Sequence, residues 1–267
     1  MSHTAHPPLA IDGGEPVRRT PLPYAVPRVD ESDVERVVEA LRSGWLTTGP
    51  SVGELEEDFA AATGTRHAVA VSSGTAALHA CMHALEIGPG DEVIVPPMTF
   101  AATANAVLYQ GGTPVFADVS PGTLLIDPDS VAERMGPRTR AIVAVDYAGH
   151  PCDYTRLRAV ADPRGIPLVA DACHAIGGAY RGRAVGGLAD LTAFSLHSLK
   201  HVPVGEGGVV TTDDAARAGT MRHFRSHGIT TDGAQREAAG AWYYEMQDLG
   251  FNYRLSEIQC ALGISQL

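Results

Sequence analysis

The chain contains a single lysine, Lys200, and its other 19 basic residues are arginines. Both residue types suit most solvated surfaces, but only the lysine amine can lose its proton and attack a carbonyl carbon. Compositional bias explains the count equally well. The neighbours favour chemistry, because Lys200 follows the apolar run Leu191–Phe194 and lies close to Ser195 and His197. The sequence therefore predicts an amine nucleophile just past a buried strand.

A second segment, Ser72–Leu78, follows the apolar run His67–Val71. A strand that enters a Ser/Gly/Thr turn and then a helix presents free backbone N–H groups and a helix dipole to a phosphate. The alternative is an ordinary capped turn. Neither this segment nor Gly205–Gly208 matches a P-loop or the GxGxxG dinucleotide fingerprint.

Three further residues lie just past apolar runs. Phe100 either covers a planar ring or belongs to the core. Asp171 would be partly buried and would need a cationic partner, unless it caps a helix. His174 is a candidate contact to the same ligand. Together with Lys200 and the segment Ser72–Leu78, these residues supply what pyridoxal phosphate (PLP) needs. They offer a binding site for its phosphate, an aromatic side chain against its ring, a partner for the ring nitrogen and an amine for the Schiff base.

The proposed site requires a sheet that brings strand ends together. Helical patterns at about 75–87, 99–110, 129–135 and 153–163 alternate with short apolar runs and predict an α/β fold with helices on both faces. Ligands bind such sheets at the carboxyl ends of the strands. The runs predict a mostly parallel, seven-stranded sheet that is buried on both faces: His67–Val71, Glu92–Val95, Pro114–Ala117, Ala141–Val145, Pro167–Ala170, Leu191–Phe194 and Gly208–Thr211.

The sequence pattern divides the chain into three parts. Residues 1–29 are proline-rich and irregular, and residues 30–245 are predicted to form the PLP-binding large domain. Two capping boxes, Ser32–Glu35 and Ser51–Glu54, predict the starts of two helices. Residues 246–267 end in an apolar helical pattern without a stop signal, so we expect the start of a helix that connects to a small C-terminal domain.

Composition argues against several classes of protein. The formal net charge of −11 disfavours binding to nucleic acid or to an anionic membrane. The four cysteines form no CxxC pair, and neither a signal peptide nor a membrane span is recognisable, so we expect a cytoplasmic protein. His79 and His83 are four residues apart on a predicted helix but lack a third ligand, so no metal site is predicted. His223 and His227 are interpreted as surface or subunit contacts.

From about residue 20 onwards the chain resembles the DegT/DnrJ/EryC1/StrS sugar aminotransferases, a branch of the fold-type I PLP enzymes. Three segments further resemble the members that aminate a UDP-linked 4-keto-6-deoxy sugar in pseudaminic acid biosynthesis: Val145–Gly149, Phe224–Gly228 and Trp242–Gln247. The family resemblance itself rests on Gly44–Pro50, Ser73–Leu78, Thr99–Asn105, Asp171–His174, Ser195–Lys200, Gly205–Gly208 and Asn252–Arg254.

The resemblance implies a role for each candidate residue. Lys200 would form the Schiff base, and Asp171 would keep the ring nitrogen protonated. The other cofactor contacts would be Phe100 on the ring, His174 at the 3-hydroxyl oxygen, Gly74, Thr75 and Ser195 at the phosphate, and Asn252 at the phosphate of the second subunit of a homodimer. The amino donor would be L-glutamate, and the sugar-nucleotide site would include Tyr24, Gly44, Trp45, Leu46, Thr47 and His197.

Two rival interpretations remain. Dehydratases of the same family carry histidine at the position of the Schiff-base lysine, so Lys200 argues against that activity. The other rival is a chain that binds the cofactor, or only its dimer partner, without turnover, because family members extend further into a small domain that closes over the site. The chain differs from the usual family pattern at two positions, with Ala170 where many members have Glu and Leu196 where they have Phe. Neither position has an assigned role.

Overall fold

The computed structural model describes residues 7–230, 240 and 242–267. Its main sheet consists of β1 (His67–Val71), β2 (Glu92–Val95), β3 (Thr113–Phe116), β4 (Thr139–Val145), β5 (Leu168–Asp171), β8 (Leu191–Ser195) and β9 (Gly208–Thr212), and β6 (Ala179–Tyr180) and β7 (Arg183–Ala184) form a separate hairpin. The strand order of the main sheet is β1-β9-β8-β5-β4-β2-β3. The predicted seven-stranded, mostly parallel sheet is therefore confirmed.

Strand register determines which residues share the edge of this sheet. β9 is antiparallel to β1 and β8, whereas the other neighbouring strands are parallel. Val71 and Ser195 both pair with Gly208, and Val145 pairs with Asp171. The carboxyl ends of β1, β4, β5 and β8 therefore meet at one edge, together with the beginning of β9.

Eight helices of the described chain surround the sheet: α1 (Glu31–Ser43), α2 (Pro50–Thr63), α3 (Gly74–Ala84), α4 (Ala101–Tyr109), α5 (Pro128–Arg134), α6 (Tyr154–Ala161), α7 (Ala215–Phe224) and α8 (Glu257–Gln266). Successive strand residues pack on opposite faces. Ala68 and Ala70 lie in one core cluster with residues of α2, α5, α6 and α8, while Val69 and Val71 lie in another with residues of α3, α4 and α7. Helices thus cover both faces, as predicted.

The starts of the first two helices differ from the prediction. Asp30, not Ser32, caps α1, and its carboxylate accepts hydrogen bonds from the N–H groups of Ser32 and Asp33. Helix α2 begins at Pro50, which suits the first helical position because it has no N–H group to satisfy. Ser51 is already inside this helix, so the predicted capping box does not form.

Residue Glu257 at the start of α8 provides the missing cap of α2. Its buried carboxylate accepts hydrogen bonds from Gly49 N at 3.0 Å and from Ser51 N at 2.6 Å. Carboxylates are favourable at this position because the helix dipole presents positive charge there. Helix α8 packs against α1 and α2.

The strand predictions were accurate to within two residues. β1 and β2 have the predicted bounds, and the largest difference is at β4, which begins two residues earlier. Residues 7–30 contain one 3-10 turn, Ala10–Asp12, and are almost entirely exposed. Within the described ranges, no helix is both long and apolar enough to cross a membrane.

Candidate active site

The predicted phosphate-binding residues are brought together by β1, α3 and β8. The Ser73 hydroxyl caps α3 and accepts a hydrogen bond from Ala76 N at 3.0 Å. Gly74 then lies so close to Ser195 that a Cβ atom at Gly74 would be 3.0 Å from the Ser195 Cβ. The first-turn N–H groups of Gly74 and Thr75 have no acceptor within the helix, so this surface combines free N–H groups with the hydroxyl of Ser195.

The carboxylate of Asp171 is held at the end of β5. Asp171 is 6% exposed; its Oδ2 accepts a hydrogen bond from Thr103 Oγ1 at 2.7 Å, and its Oδ1 accepts one from Cys173 N at 3.3 Å. Asp171 is the last residue of the strand rather than the residue after it, and a turn instead of a helix follows. The alternative interpretation as a helix cap is therefore wrong.

Lys200 lies in a turn after β8 whose backbone is well fixed. Its N–H group donates to the carbonyl oxygen of His197 at 2.8 Å, and Leu199 N donates to the Nδ1 atom of His197 at 3.2 Å. The Nε2 atom of His197 is 3.9 Å from Oε1 of Glu206. In this structure His197 thus shapes the turn that carries Lys200.

The positive charge of Lys200 acts on two residues of the turn after Asp171, Cys173 and His174. Burial and the positive charge of Lys200 both lower the pKa of His174. Burial and the charge of Asp171 raise the pKa of the Cys173 thiol, while Lys200 acts in the opposite direction. The predicted amine, carboxylate and imidazole therefore belong to one site.

Phe100 immediately precedes α4 and is 77% exposed, so the alternative that it belongs to the core is wrong. The helix that follows carries Thr103, whose hydroxyl contacts Asp171. Phe100 is therefore tied to the same site through a short stretch of backbone, with its ring free to meet a ligand.

Asp146 is a buried carboxylate that the sequence reasoning missed. It follows β4 and is 0% exposed; Cys152 N donates to it at 2.8 Å, and the Tyr154 hydroxyl donates to both of its oxygens at 3.0 Å. Burial raises the pKa of Asp146 to about 6, and the nearby charge of Asp171 acts in the same direction. The signal that selected Asp171, an acid after an apolar run, was also present here.

Within the described ranges, His197 is the one predicted sugar-nucleotide residue that hydrogen bonds join to the cofactor residues: its N–H donates to Ser195 Oγ at 3.3 Å, and its carbonyl oxygen accepts from Lys200 N. Tyr24 is almost fully exposed, and Trp45 and Leu46 are also exposed. Their loop is anchored to the C-terminal segment, because Thr47 pairs with Ser256. It begins at Gly44, which has a positive φ of 81° at the end of α1.

Asn252 lies beside the turn that is predicted to bind the phosphate. Its side chain is exposed, and the carbonyl of the next residue, Tyr253, accepts a hydrogen bond from Ser72 N at 2.7 Å. Asn252 also pairs with Ser226 in an isolated bridge. Its predicted contact to a second subunit stays a prediction.

The pair His79 and His83 has a structural explanation. His79 is hydrogen-bonded to the Tyr253 hydroxyl at 3.1 Å, and burial lowers its pKa to about 4. His83 stacks on Phe224, with ring centroids 4.0 Å apart. The described residues contain no group of three or more side chains arranged to hold a metal ion.

The profile of the DegT/DnrJ/EryC1/StrS aminotransferase family matches residues 27–267. The chain belongs to this family. A curated relative, the spore coat polysaccharide biosynthesis protein SpsC of Bacillus subtilis strain 168, is 43% identical over 247 residues, which are 92% of this chain and 64% of SpsC. The chain therefore spans less than two thirds of the length of this relative.

Solved structures of similar proteins confirm the fold. Spr1654 of Streptococcus pneumoniae, assigned as a sugar aminotransferase, matches in its pyridoxamine phosphate form with a TM-score of 0.87 and 33% identity over 92% of this chain and 67% of Spr1654. Helicobacter pylori PseC, described as acting in pseudaminic acid biosynthesis, matches with a TM-score of 0.84 and 34% identity over 91% and 64% of the two chains. DesI, solved with its TDP-sugar product, matches with a TM-score of 0.85 and 41% identity over 97% and 63%.

PLP is the cofactor of the family, as predicted, and Spr1654 has been solved in both PLP and pyridoxamine phosphate forms. The site described above fits this cofactor. Asp171 is buried, yet no Lys, Arg or His among residues 7–230, 240 and 242–267 forms an ion pair with it. A buried carboxylate that is ionised is stabilised by a cationic partner, and the protonated ring nitrogen of PLP would provide one for Asp171.

Proposed function

We propose that the protein is a PLP-dependent aminotransferase that aminates a keto group of a nucleotide-linked sugar. The observation that carries this proposal is the position of Lys200. The charge of the only lysine of the chain acts on the pKa values of Cys173 and His174, and Asp171, two residues before Cys173, is a buried carboxylate that forms no ion pair in the described chain. This combination fits PLP chemistry better than it fits a structural role.

Each cofactor contact is assigned to a residue of the carboxyl edge. Lys200 Nζ would hold PLP covalently, Asp171 would face its ring nitrogen, and His174 would face its 3-hydroxyl oxygen. Gly74, Thr75 and Ser195 would hold the phosphate, and Phe100 would cover the ring. When bound, PLP supplies an electron sink that stabilises negative charge at the substrate carbon.

The protein's own residues then perform the proton transfers. With the amino donor bound in its place, the Nζ atom of Lys200 would act as the general base that takes a proton from the donor's Cα and as the acid that returns it to the cofactor. Asp171 would hold the proton on the ring nitrogen during this transfer. The backbone hydrogen bond between Lys200 and His197 would limit the positions that the lysine side chain can reach.

The finer proposal concerns the substrate. L-glutamate is the proposed amino donor, and a UDP-linked 4-keto-6-deoxy sugar is the proposed acceptor. The specific activity would be that of UDP-4-amino-4,6-dideoxy-N-acetyl-β-L-altrosamine transaminase. The likeness to PseC supports it, whereas the likenesses to SpsC and DesI favour a different nucleotide-sugar 3- or 4-aminotransferase. Tyr24, Gly44, Trp45, Leu46, Thr47 and His197 would line the sugar-nucleotide site.

We also propose a homodimer in which Asn252 of each chain contacts the phosphate bound by the other. Its exposed side chain beside Ser72 supports this role, because an exposed amide close to a phosphate-binding turn remains available to a second subunit. The three-part domain division of the chain likewise stays a proposal.

The experiment supplies the protein with PLP, ¹⁵N-labelled L-glutamate and either a UDP-linked or a TDP-linked 4-keto-6-deoxy sugar. Mass spectrometry of the sugar products then measures the label. Label in the UDP-linked product alone supports the finer proposal, and label in the TDP-linked product alone replaces it by the alternative. PLP binding without label in any sugar would contradict the proposed activity.

A further inference from the structure

The hydroxyl of Thr103 is the strongest contact to Asp171 that no assigned role accounts for. Thr103 is 1% exposed, and its Oγ1 donates to Asp171 Oδ2 at 2.7 Å. A second hydroxyl, that of Thr99, lies 2.6 Å from the Thr103 hydroxyl. Thr99 precedes α4 and Thr103 lies in its first turn, so the two threonines are four residues apart in the sequence, with Phe100 between them.

The direction of both hydrogen bonds follows from proton counting. A threonine hydroxyl has one proton and can accept through its lone pairs. Because Thr103 donates its proton to Asp171, Thr99 must be the donor in the bond between the two threonines. The result is a directed chain from Thr99 through Thr103 to Asp171, and successive hydrogen bonds in such a chain strengthen one another.

This chain fixes the orientation of the Asp171 carboxylate. Thr103 holds Oδ2 from the side of α4, and Cys173 N holds Oδ1 from the turn after β5. Rotation of the carboxylate about its side-chain bonds would break both contacts inside a buried region. A carboxylate that is held in this way meets a ligand N–H group with less loss of freedom than a mobile one.

We propose that Thr103 is a positioning residue that acts through Asp171 on the ring nitrogen of PLP. This inference rests on the proposed function, since it requires that Asp171 face that nitrogen. Thr103 itself touches no reacting atom. The start of α4 would then position two side chains of the site, because Phe100 immediately precedes this helix and Thr103 lies in its first turn.

The test compares the affinities for PLP and for 1-deazapyridoxal phosphate, in which carbon replaces the ring nitrogen. Thr103→Val keeps the branched shape and removes the donor. We expect it to weaken PLP binding about tenfold, close to the lower end of the range for losing a hydrogen bond to a charged group, and to change binding of the deaza analogue less than about twofold. Thr103→Ser, which restores a hydroxyl, should bind PLP nearly as the unaltered protein does.

The matched control is Thr211→Val. Thr211, in β9, is also a buried threonine, but its hydroxyl donates to the carbonyl oxygen of Gly186 at 3.0 Å and not to Asp171. Both affinities should be unchanged in this variant. Thr99→Val provides a second test if Thr103→Val folds poorly, and it should weaken PLP binding selectively but less.

Three results would count against the inference. Equal losses of affinity for PLP and for the deaza analogue would show that Thr103 has a merely structural role. Unchanged affinity for PLP in Thr103→Val would show that Thr103 does not act on the ring nitrogen. Failure of the unaltered protein to bind PLP would overturn the proposed function as well, so the two proposals fail in distinguishable ways.

Discussion

Asp146 should make the stability of the protein depend on pH in a way that one substitution removes. Its carboxylate is fully buried after β4, and burial raises its pKa from the ordinary value of 3.8 to about 6. The folded protein therefore holds this proton over a pH range in which the unfolded chain has released it. Stability must then fall as pH rises from about 4 through about 6, because the unfolded state binds fewer protons there.

The magnitude follows from the two pKa values. One pKa unit corresponds to about 1.4 kcal/mol, so the full penalty above pH 6 is about 3 kcal/mol. Between about pH 4.5 and about pH 7.5 the penalty grows by about 2 kcal/mol, because the unfolded carboxyl is already largely ionised at the lower pH. The variant Asp146→Asn is neutral throughout and lacks this dependence.

Urea unfolding of the unaltered protein and of Asp146→Asn across this range measures the effect. The variant also changes the hydrogen bonds to Cys152 and Tyr154, but that loss does not vary with pH. The difference in unfolding free energy should therefore shift by about 2 kcal/mol in favour of the variant as pH rises. The exposed Asp58→Asn controls for the removal of one negative charge. A difference that is constant within about 0.5 kcal/mol would refute the reasoning.

Three further substitutions test the site and its support. Asp171→Asn should leave the temperature of thermal unfolding nearly unchanged. It should weaken PLP binding at least about tenfold in an absorbance titration, because the amide has no charge to pair with the ring nitrogen. An affinity equal to that of the unaltered protein would remove Asp171 from the site. Glu257→Ala should lower the unfolding free energy, measured in urea, by about 2–4 kcal/mol, since the N–H groups of Gly49 and Ser51 at the start of α2 lose their acceptor. Glu257→Gln, which keeps an acceptor oxygen, should lower it less. Gly74→Ala places a Cβ 3.0 Å from the Ser195 Cβ and should weaken PLP binding about tenfold, whereas Gly88→Ala, with no atom within 4 Å, should have no effect. Equal affinities in the two alanine variants would contradict the close approach.

Apolar runs predicted the sheet well because its strands are buried on both faces. Alternate residues of β1 pack against helices on opposite sides, so both sets of positions must be apolar and the run is continuous. The last residues of the strands were predicted less accurately. Asp171 and Ser195 continue the pairing of β5 and β8 although they are polar, because the sheet supplies backbone partners there.

Helix starts were predicted less well because several local acceptors compete. Asp30 and Ser32 are two residues apart, and either could have capped α1. The cap of α2 could not be found locally at all, since its acceptor, Glu257, is 208 residues from Gly49 in the sequence.

The same reasoning explains which site residues were found. Lys200 and Asp171 were visible because each is an unusual residue type at the end of an apolar run. Thr103 was not, since a hydroxyl inside a helix shows no signal until its partner, 68 residues away, is known. Asp146 carried the same signal as Asp171 and was overlooked.

Borohydride reduction is the most direct test of the central claim that Lys200 holds PLP. Reduction of the PLP-loaded protein should fix a phosphopyridoxyl group on Lys200, and only the α-amino group competes because no other lysine exists. The modified lysine resists trypsin, so the label should map to the intact peptide Ala184–Arg217. Lys200→Arg should abolish the label, because a guanidinium group stays protonated and cannot form the imine. Label on the N-terminus alone, or label retained in Lys200→Arg, would contradict the account.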